Sequence, residues 1–205
     1  AYTFDGFVGM ASLSEPFSSY TGPCVNLGAA GTTVYDVSQI PLTAALQTAI
    51  EAGNATTDEV TCIARWEFTT YQEDIVLNEP FPNLTVIGRH AYQNYKGLLN
   101  ITILQLPKLA EFGEYAFAHL SNPASILTLS NMSILASIER YTFKAFEASV
   151  TLDFMPSLSK IESYAFTQFA GNLTTGAMPS LEKIESYAFY GASGVFHIVA
   201  DLPTL

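Results

Sequence analysis

Positive charge is scarce in this chain. Eight lysines and arginines face 19 aspartates and glutamates in 205 residues, so the formal net charge is −11. No lysine or arginine precedes Arg65. Proteins that bind nucleic acids or anionic membranes place basic side chains opposite phosphate groups, and the sequence has no basic patch. We therefore expect no nucleic-acid partner.

Long apolar runs are also missing. The longest uncharged stretch near the N-terminus, residues 16–35, is rich in glycine, serine and threonine and does not resemble an apolar membrane helix. The chain starts at Ala1 without a basic, apolar leader, which fits a processed or trimmed product. Apolar residues make up 49% of the chain and charged residues 13%. This composition predicts a folded protein that does not insert into a membrane.

Cysteine is limited to Cys24 and Cys62. Neither has a second ligand at metal-site spacing, so we expect no zinc site. The pair is either two buried thiols or a disulfide that closes the N-terminal segment. We favour the disulfide, because the glycosylation signals described below indicate an oxidising compartment.

Motifs of known catalytic chemistry are absent as well. The chain has no G-x-S-x-G elbow, no H-E-x-x-H helix and no phosphate-binding loop. His90, His119 and His197 are scattered and more typical of surface or strand positions than of a catalytic base. We expect no catalytic residues, no metal and no cofactor.

Acceptor triplets for N-linked glycans are frequent. Five of nine asparagines begin Asn-x-Ser/Thr without an intervening proline: Asn54, Asn83, Asn100, Asn131 and Asn172. Chance matches in a serine- and threonine-rich chain are the alternative, but chance predicts only about two triplets. The pattern favours a secreted, extracellular or cell-surface glycoprotein.

An internal repeat dominates the sequence. The stretch "MPSLSKIESYAF" recurs 23 residues later as "MPSLEKIESYAF", with one difference. Variants of "IESYAF" begin at Ile63, Ile87, Phe112, Ile138, Ile161 and Ile184. Their starts lie 24, 25, 26, 23 and 23 residues apart. Such a period predicts a solenoid, in which stacked coils bury a face that no coil can bury alone.

Each unit has the same anatomy. An aromatic residue follows the first apolar residue by five positions, and we expect these aromatics to stack as the core of the repeats: Phe68, Tyr92, Phe117, Phe143, Phe166 and Phe189. Apolar and polar residues then alternate, as in Val150–Phe154, which is typical of a strand with one buried face. A proline often ends that strand. The pattern predicts a β-rich solenoid of parallel strands joined by tight or 3₁₀ turns.

The repeated unit resembles the BspA-like subfamily of leucine-rich repeats. "LSKIESYAFTQFAGNLTTGAMP" and "LEKIESYAFYGASGVFHIVADLP" follow its pattern closely, and the likeness covers about residues 60–205. The cysteine that often follows the Ala-Phe pair in that family is replaced here by Leu120, Phe146, Phe169 or Ala192. The resemblance implies a surface or secreted protein with an adhesive or binding role and no catalysis.

The first part of the chain departs from the repeat. "AYTF" at residues 1–4 matches the repeat, but 64 residues separate Phe4 from Phe68. Within them, Leu42, Ala45, Leu46, Ala49 and Ile50 form an apolar stripe that predicts one helix near residues 41–52. We expect residues 1–59 to form a partial repeat plus an insertion or cap, and residues 60–205 to form about six repeats in one continuous domain.

Two surfaces are candidates for partners. "ADLPTL" at the C-terminus stops inside a repeat, so the chain is an excerpt of a longer array, or copies of it stack head to tail, or a domain swap or unseen cap covers the end. Head-to-tail association predicts a structural fibre or wall protein. The alternative is a cell-surface adhesin that binds a protein or glycan on the exposed strand face: Thr102, Thr151, Asp153, Thr174 and His197.

Overall fold

A computed structural model of the chain describes residues 41–198, except Thr43, Asn54, Glu59, Ala64 and Gln72. Thirteen short strands and one helix are present in this part. The helix is α1, Ala44–Glu51. The strands are β1 Pro41–Leu42, β2 Cys62–Ile63, β3 Ile75–Leu77, β4 Val86–Ile87, β5 Leu99–Ile103, β6 Glu111–Phe112, β7 Ile126–Ser130, β8 Ser137–Ile138, β9 Ser149–Asp153, β10 Lys160–Ile161, β11 Asn172–Thr175, β12 Lys183–Ile184 and β13 Val195–Ile198.

The strands confirm the predicted solenoid. The longer ones form a six-stranded parallel sheet in the order β13-β11-β9-β7-β5-β3, so each coil adds one strand. Alternation along the sequence fixes which side chains face inward. In β5, for example, Leu99, Ile101 and Ile103 are buried, whereas Asn100 and Thr102 are half-buried on the outer surface.

Shorter strands run along a second side of the solenoid. β1-β2-β4-β6 form one parallel sheet and β12-β10-β8 form another, and β6 contacts β8. Each of these strands from β2 on carries the first apolar residue of a repeat, such as Ile87, Ile138 and Ile161. The register is continuous from coil to coil: Ile63 pairs with Ile87, and Ile87 with Phe112.

A turn carries the core aromatic residue of each coil. The backbone amides of this turn donate hydrogen bonds alternately within the same coil and to the next coil. The amide groups of Ala91, Gln93 and Tyr95 donate to carbonyl groups three residues earlier, each at 3.1 Å. The amides between them donate to the following coil: His90 to Glu114, Tyr92 to Ala116 and Asn94 to Ala118, at 3.0, 2.8 and 3.0 Å. Backbone hydrogen bonds therefore hold this edge of the stack, which has no strands.

One aromatic ring per coil fills the interior. The inner ladder, as we call it, consists of Phe68, Tyr92, Phe117, Phe143, Phe166 and Phe189. Successive ring centroids lie 4.8–5.5 Å apart, and the rings are parallel to within 12°. The first five are fully or almost fully buried, and Phe189 packs half-buried against them.

The helix is shorter than the range near residues 41–52 that the apolar stripe predicted. Pro41 and Leu42 pair in parallel with Cys62 and Ile63 as β1, and the helix begins only at Ala44. Leu42 is fully buried, so its apolar character serves a strand rather than the helical stripe. Gly53 follows the helix with φ 71°, a left-handed conformation typical of the residue after a C-cap. Residues 1–40 lie outside the described residues, so the partial repeat and the insertion or cap stay predictions.

Candidate binding surfaces

The outer face of the six-stranded sheet carries an unbroken row of threonines. Thr102 pairs with Thr128, Thr128 with Thr151, and Thr151 with Thr174. His197 extends the row beyond Thr174 on β13. Neighbouring parallel strands lie about 4.8 Å apart, so this threonine row presents a hydroxyl and a methyl group at that interval.

Four of the five predicted binding residues thus come together: Thr102, Thr151, Thr174 and His197. The fifth, Asp153, is exposed two residues after Thr151 on the same face of β9 and accepts a 3.4 Å hydrogen bond from the Ser130 hydroxyl. Thr128 was missed. The strand "ILTLS" on β7 begins nine residues after Phe117, and the alternation in it is a signal that sequence reasoning could have used.

A second outward row runs beside the threonines and contains two glycan acceptor asparagines. Asn100 pairs with Ile126 and Ile126 with Ser149, and Asn172 continues the same row next to Ser149. In each of these triplets, the asparagine and its threonine point to the same side of the sheet because they are two residues apart. Three strand spacings separate the two asparagines, or about 14 Å.

The other acceptor triplets lie elsewhere. The Asn83 amide nitrogen donates to the Asp58 carbonyl and its side-chain oxygen accepts from Lys108, both at 2.7 Å. Asn131 follows β7 in a left-handed conformation with φ 58°. Asn54 lies outside the described residues. Glycosylation at all five sites stays a prediction.

A second ladder of rings runs along the surface of the turn edge. This outer ladder consists of Trp66, His90, Tyr115, Tyr141, Tyr164 and Tyr187. Successive centroids lie 3.7, 5.0, 4.6, 5.3 and 5.3 Å apart, and the rings are parallel to within 18°. His90 is nearly buried, and Tyr187 is 60% exposed; the other four rings are half-buried.

All six residues of the outer ladder have left-handed backbones, with φ of 58–63°. Bulky residues pay a steric cost in this conformation, which glycine avoids. A second left-handed position, two residues after each inner-ladder ring from Tyr92 on, is occupied by Asn94, His119, Ala145, Gln168 and Gly191. Side chains at that position vary from coil to coil, whereas the outer-ladder position holds a ring in all six described coils. Sequence reasoning used these residues only as part of the repeat and missed the ladder.

Cations flank the first half of the outer ladder. The Arg65 guanidinium lies 5.7 Å from the centroid of Trp66, and Arg140 lies 5.4 Å from that of Tyr141. The Lys144 ammonium lies 6.0 Å from Tyr115 and 5.5 Å from Tyr141. In the described part of the chain, cation–π contacts are confined to these three rings.

Ion pairs between lysines and carboxylates flank the second half. Lys160 contacts Glu162 at 2.5 Å and Glu185 at 3.3 Å, and Lys183 contacts Glu185 at 2.8 Å. Hydrogen bonds from Lys183, Lys160 and Ser163 lower the pKa of Glu185 to about 2. Glu139 lies two residues before Tyr141, and burial raises its pKa despite a hydrogen bond from Ser137.

The described residues contain no cluster of three or more histidine, cysteine, aspartate or glutamate side chains that could hold a metal ion. No helix among them is long and apolar enough to cross a membrane. His90 and His119 lie in different surroundings. His90 stacks between Trp66 and Tyr115, whereas burial and then Lys144 lower the pKa of His119.

Cys62 is fully buried in β2. Its predicted partner, Cys24, lies outside the described residues. The disulfide between them stays a prediction.

A family model for the BspA type leucine-rich repeat region matches residues 67–195, in six copies. No curated protein and no solved structure matches the chain. The matched residues include the inner ladder from Phe68 onward, the outer ladder from His90 onward, and all four threonines of the row. Proteins with this repeat are generally found at the cell surface or secreted, and the repeat is typically non-catalytic.

Proposed function

The chain belongs to the BspA-type leucine-rich-repeat family, which indicates a surface-protein or adhesion-type repeat module, and we propose that it is an extracellular, non-catalytic binding module that holds a neutral glycan on its six-stranded sheet. The observation that carries this proposal is the unbroken threonine row, Thr102, Thr128, Thr151 and Thr174.

The chemistry of the row favours a neutral, hydroxyl-rich partner. Threonine hydroxyls donate and accept hydrogen bonds, and serine and asparagine side chains in the second row add further donors and acceptors. Asp153 on β9 is one of the few charged groups beside these rows. A polymer with a regular repeat can meet equivalent groups on successive strands, because each strand presents the same residue type. Protein interfaces, by contrast, are typically rich in aromatic residues and arginine at their centre.

The experiment is binding to neutral polysaccharides. We replace Thr102, Thr128, Thr151 and Thr174 together by valine, which keeps the shape and the strand preference of each side chain but removes the hydroxyl. The matched control replaces four exposed serines away from the row, Ser157, Ser180, Ser186 and Ser193, by alanine. The probes are insoluble cellulose and chitin and soluble mannan and β-glucan.

We expect the wild type and the serine control to bind at least one of these polymers and the valine variant to lose at least ten-fold in affinity, or about 1.4 kcal/mol. Equal binding by the valine variant, or binding by neither protein to any polymer, contradicts a glycan site on the row. Attachment to protein-coated surfaces that requires the threonines points to a protein partner instead.

Head-to-tail association into a fibre or wall is the second candidate, and one observation favours it. The last described coil exposes apolar side chains that earlier coils bury. Ile184 is 41% exposed, but its equivalent Ile161 is 4% exposed. Phe196 on the same coil is half-buried, but its equivalent Leu173 is 2% exposed. A coil of the same kind, presented by another copy, fits this surface and would extend both sheets.

Sedimentation velocity over a concentration series tests the second candidate. We expect larger species at high concentration and their loss in Ile184→Glu, which places a charge on the proposed contact. Thr151→Glu, on the outer face of a central strand, is the control and should associate like the wild type. A single concentration-independent species in the wild type contradicts association.

A further inference from the structure

The outer ladder has a chemistry that neither the threonine row nor coil stacking uses. Five of its six rings are redox-active, namely the only tryptophan of the chain and four tyrosines, and the His90 imidazole lies between Trp66 and Tyr115. Trp66 and Tyr115 both stack on His90, and the four tyrosines stack on one another at 4.6–5.3 Å. Electron transfer over such contacts is fast because the rings are parallel and nearly touch.

Proton access separates the two ladders. Oxidation of a phenol releases its proton, which needs an acceptor. Tyr92, the one tyrosine of the inner ladder, is fully buried, and its hydroxyl has no hydrogen-bond partner. Burial also raises the pKa of that hydroxyl, so it gives up its proton less readily. Tyr115, Tyr141 and Tyr164 are half-buried, and Tyr187 is exposed, so each can release a proton to water. Only the outer ladder combines stacked redox-active rings with phenols that can release their protons to water.

Contacts with cations give the outer ladder a direction. Cations lie over Trp66, Tyr115 and Tyr141, and a positive charge beside a ring disfavours the loss of an electron from it. In the described part of the chain, neither Tyr164 nor Tyr187 makes such a contact. An electron vacancy is therefore more stable on Tyr164 and Tyr187.

Tyr187, the last described ring of the outer ladder, lies beside a second exposed tyrosine. Tyr190 contacts Tyr187 edge to face at 5.8 Å. Tyr187 is 60% exposed and Tyr190 is 61% exposed, and they are the most exposed tyrosines in the described part of the chain. A radical that reaches this pair is accessible to another molecule.

We propose that the outer ladder conducts one-electron oxidation from Trp66 to the Tyr187–Tyr190 pair, and that this pair is a site of oxidative cross-linking between copies of the protein. The oxidant is hydrogen peroxide with a haem peroxidase. The peroxidase removes one electron and one proton from each of two protein molecules, and peroxide is reduced to two waters. In each molecule, the indolyl radical takes an electron from a phenol and a proton from water, while the phenol releases its proton. Two tyrosyl radicals then form a carbon–carbon bond between ring positions ortho to the hydroxyls, and the two displaced ring protons return to the oxygens.

The first experiment follows the transfer in time. Azide radicals generated by pulse radiolysis oxidise tryptophan selectively, and indolyl and phenoxyl radicals have separate absorption bands. The wild type should convert one band into the other at a rate independent of protein concentration. Replacing Tyr115, Tyr141 and Tyr164 by phenylalanine keeps the rings but removes the phenols, and we expect the conversion to slow at least ten-fold. Tyr71→Phe, off the outer ladder, is the matched control and should behave as wild type.

The second experiment locates the product. Tyr2, Tyr20 and Tyr35, which lie outside the described residues, are first replaced by phenylalanine, so that every phenol has a known position. Peroxidase and peroxide are added, and dityrosine is mapped by peptide mass spectrometry. We expect most of it at Tyr187 and Tyr190, and its loss when both are replaced by phenylalanine.

Two results overturn the proposal. One is an unchanged rate of conversion from indolyl to phenoxyl radical when Tyr115, Tyr141 and Tyr164 are all replaced by phenylalanine, in a variant whose wild-type unfolding temperature shows that it is folded. The other is dityrosine spread over Tyr71, Tyr115 and Tyr141 as readily as over the Tyr187–Tyr190 pair.

Discussion

The inner and outer ladders run along the same coils, two residues apart, yet they differ in nearly every physical respect. The inner rings are almost all phenylalanines and, apart from half-buried Phe189, are buried, whereas the outer rings carry polar atoms and, apart from nearly buried His90, are half-buried or exposed. The inner ladder takes its stabilisation from removing large apolar surfaces from water. The outer ladder gains mainly stacking energy, and its left-handed backbone costs part of that gain. The inner ladder therefore holds the fold, and the outer ladder is available for another role.

The largest effect should come from truncating an inner ring. Phe143 is fully buried and stacks on Phe117 and Phe166 at 5.5 and 5.1 Å. Phe143→Ala should lower the free energy of unfolding by about 3–5 kcal/mol, through lost burial and the cavity left behind. Tyr141→Ala, on the same coil, should cost no more than half as much. Urea denaturation measures both, and equal losses would remove the distinction between the ladders.

The one polar member of the inner ladder offers the next test. The Tyr92 hydroxyl is buried without a hydrogen-bond partner, so Tyr92→Phe should raise the free energy of unfolding by about 1–3 kcal/mol. The reverse change, Phe117→Tyr, buries a new hydroxyl and should destabilise the protein. If Tyr92→Phe destabilises instead, the hydroxyl has a partner such as a bound water.

Backbone strain in the outer ladder predicts a smaller effect with an unusual sign. Tyr141 has φ 59°, so glycine at this position relieves a strain that alanine keeps. We expect Tyr141→Gly to be more stable than Tyr141→Ala by about 1–2 kcal/mol. At Thr128, on a regular strand, glycine should be the less stable of the two. The same order at both positions in thermal melts refutes strain at Tyr141.

The smallest expected effect depends on pH. The pKa of Glu185 is lowered from 4.5 to about 2 by Lys183, Lys160 and Ser163. A lowered pKa means that the ionised carboxylate stabilises the folded state above pH 4.5, and that this contribution is lost as the pH falls toward 2. Glu185→Gln should therefore flatten the loss of stability between these two values. An unchanged acid limb in a pH series of urea titrations shows that solvent screens the carboxylate.

Much of the fold was predictable because a repeat constrains every coil at once. The spacing of Ile138, Ile161 and Ile184 predicted stacked coils, and the alternation around Val150 and Leu152 predicted the strands. The helix start was not predictable, since an apolar residue such as Leu42 fits a strand and a helical stripe equally well.

The candidate surfaces were harder to predict. Period-two alternation predicted five residues of the outward face, but it did not show that Thr128 joins Thr102 to Thr151, because this depends on the register between coils. The outer ladder needed left-handed backbones at Tyr115 and Tyr141, and nothing in the local sequence signals that conformation for a tyrosine.

The sheet face brings two of our predictions into conflict. Asn100 and Asn172 lie beside the threonine row, so glycans attached there would cover the surface proposed to bind a partner. A glycan at Asn83, on a turn before β4, should leave that surface open. Occupied sites on the sheet would favour the role of a shielded structural protein.

The most direct measurement compares single-glycan variants. Protein from a eukaryotic secretory host carries either the Asn100 or the Asn83 triplet, with the other acceptor asparagines changed to glutamine, and mass spectrometry of the glycopeptides selects fully occupied molecules. Binding to the polysaccharide retained by the unglycosylated wild type is then measured. We predict that a glycan at Asn100 abolishes binding and that a glycan at Asn83 leaves it within two-fold. Equal binding by both glycoforms would contradict a binding site on the threonine row.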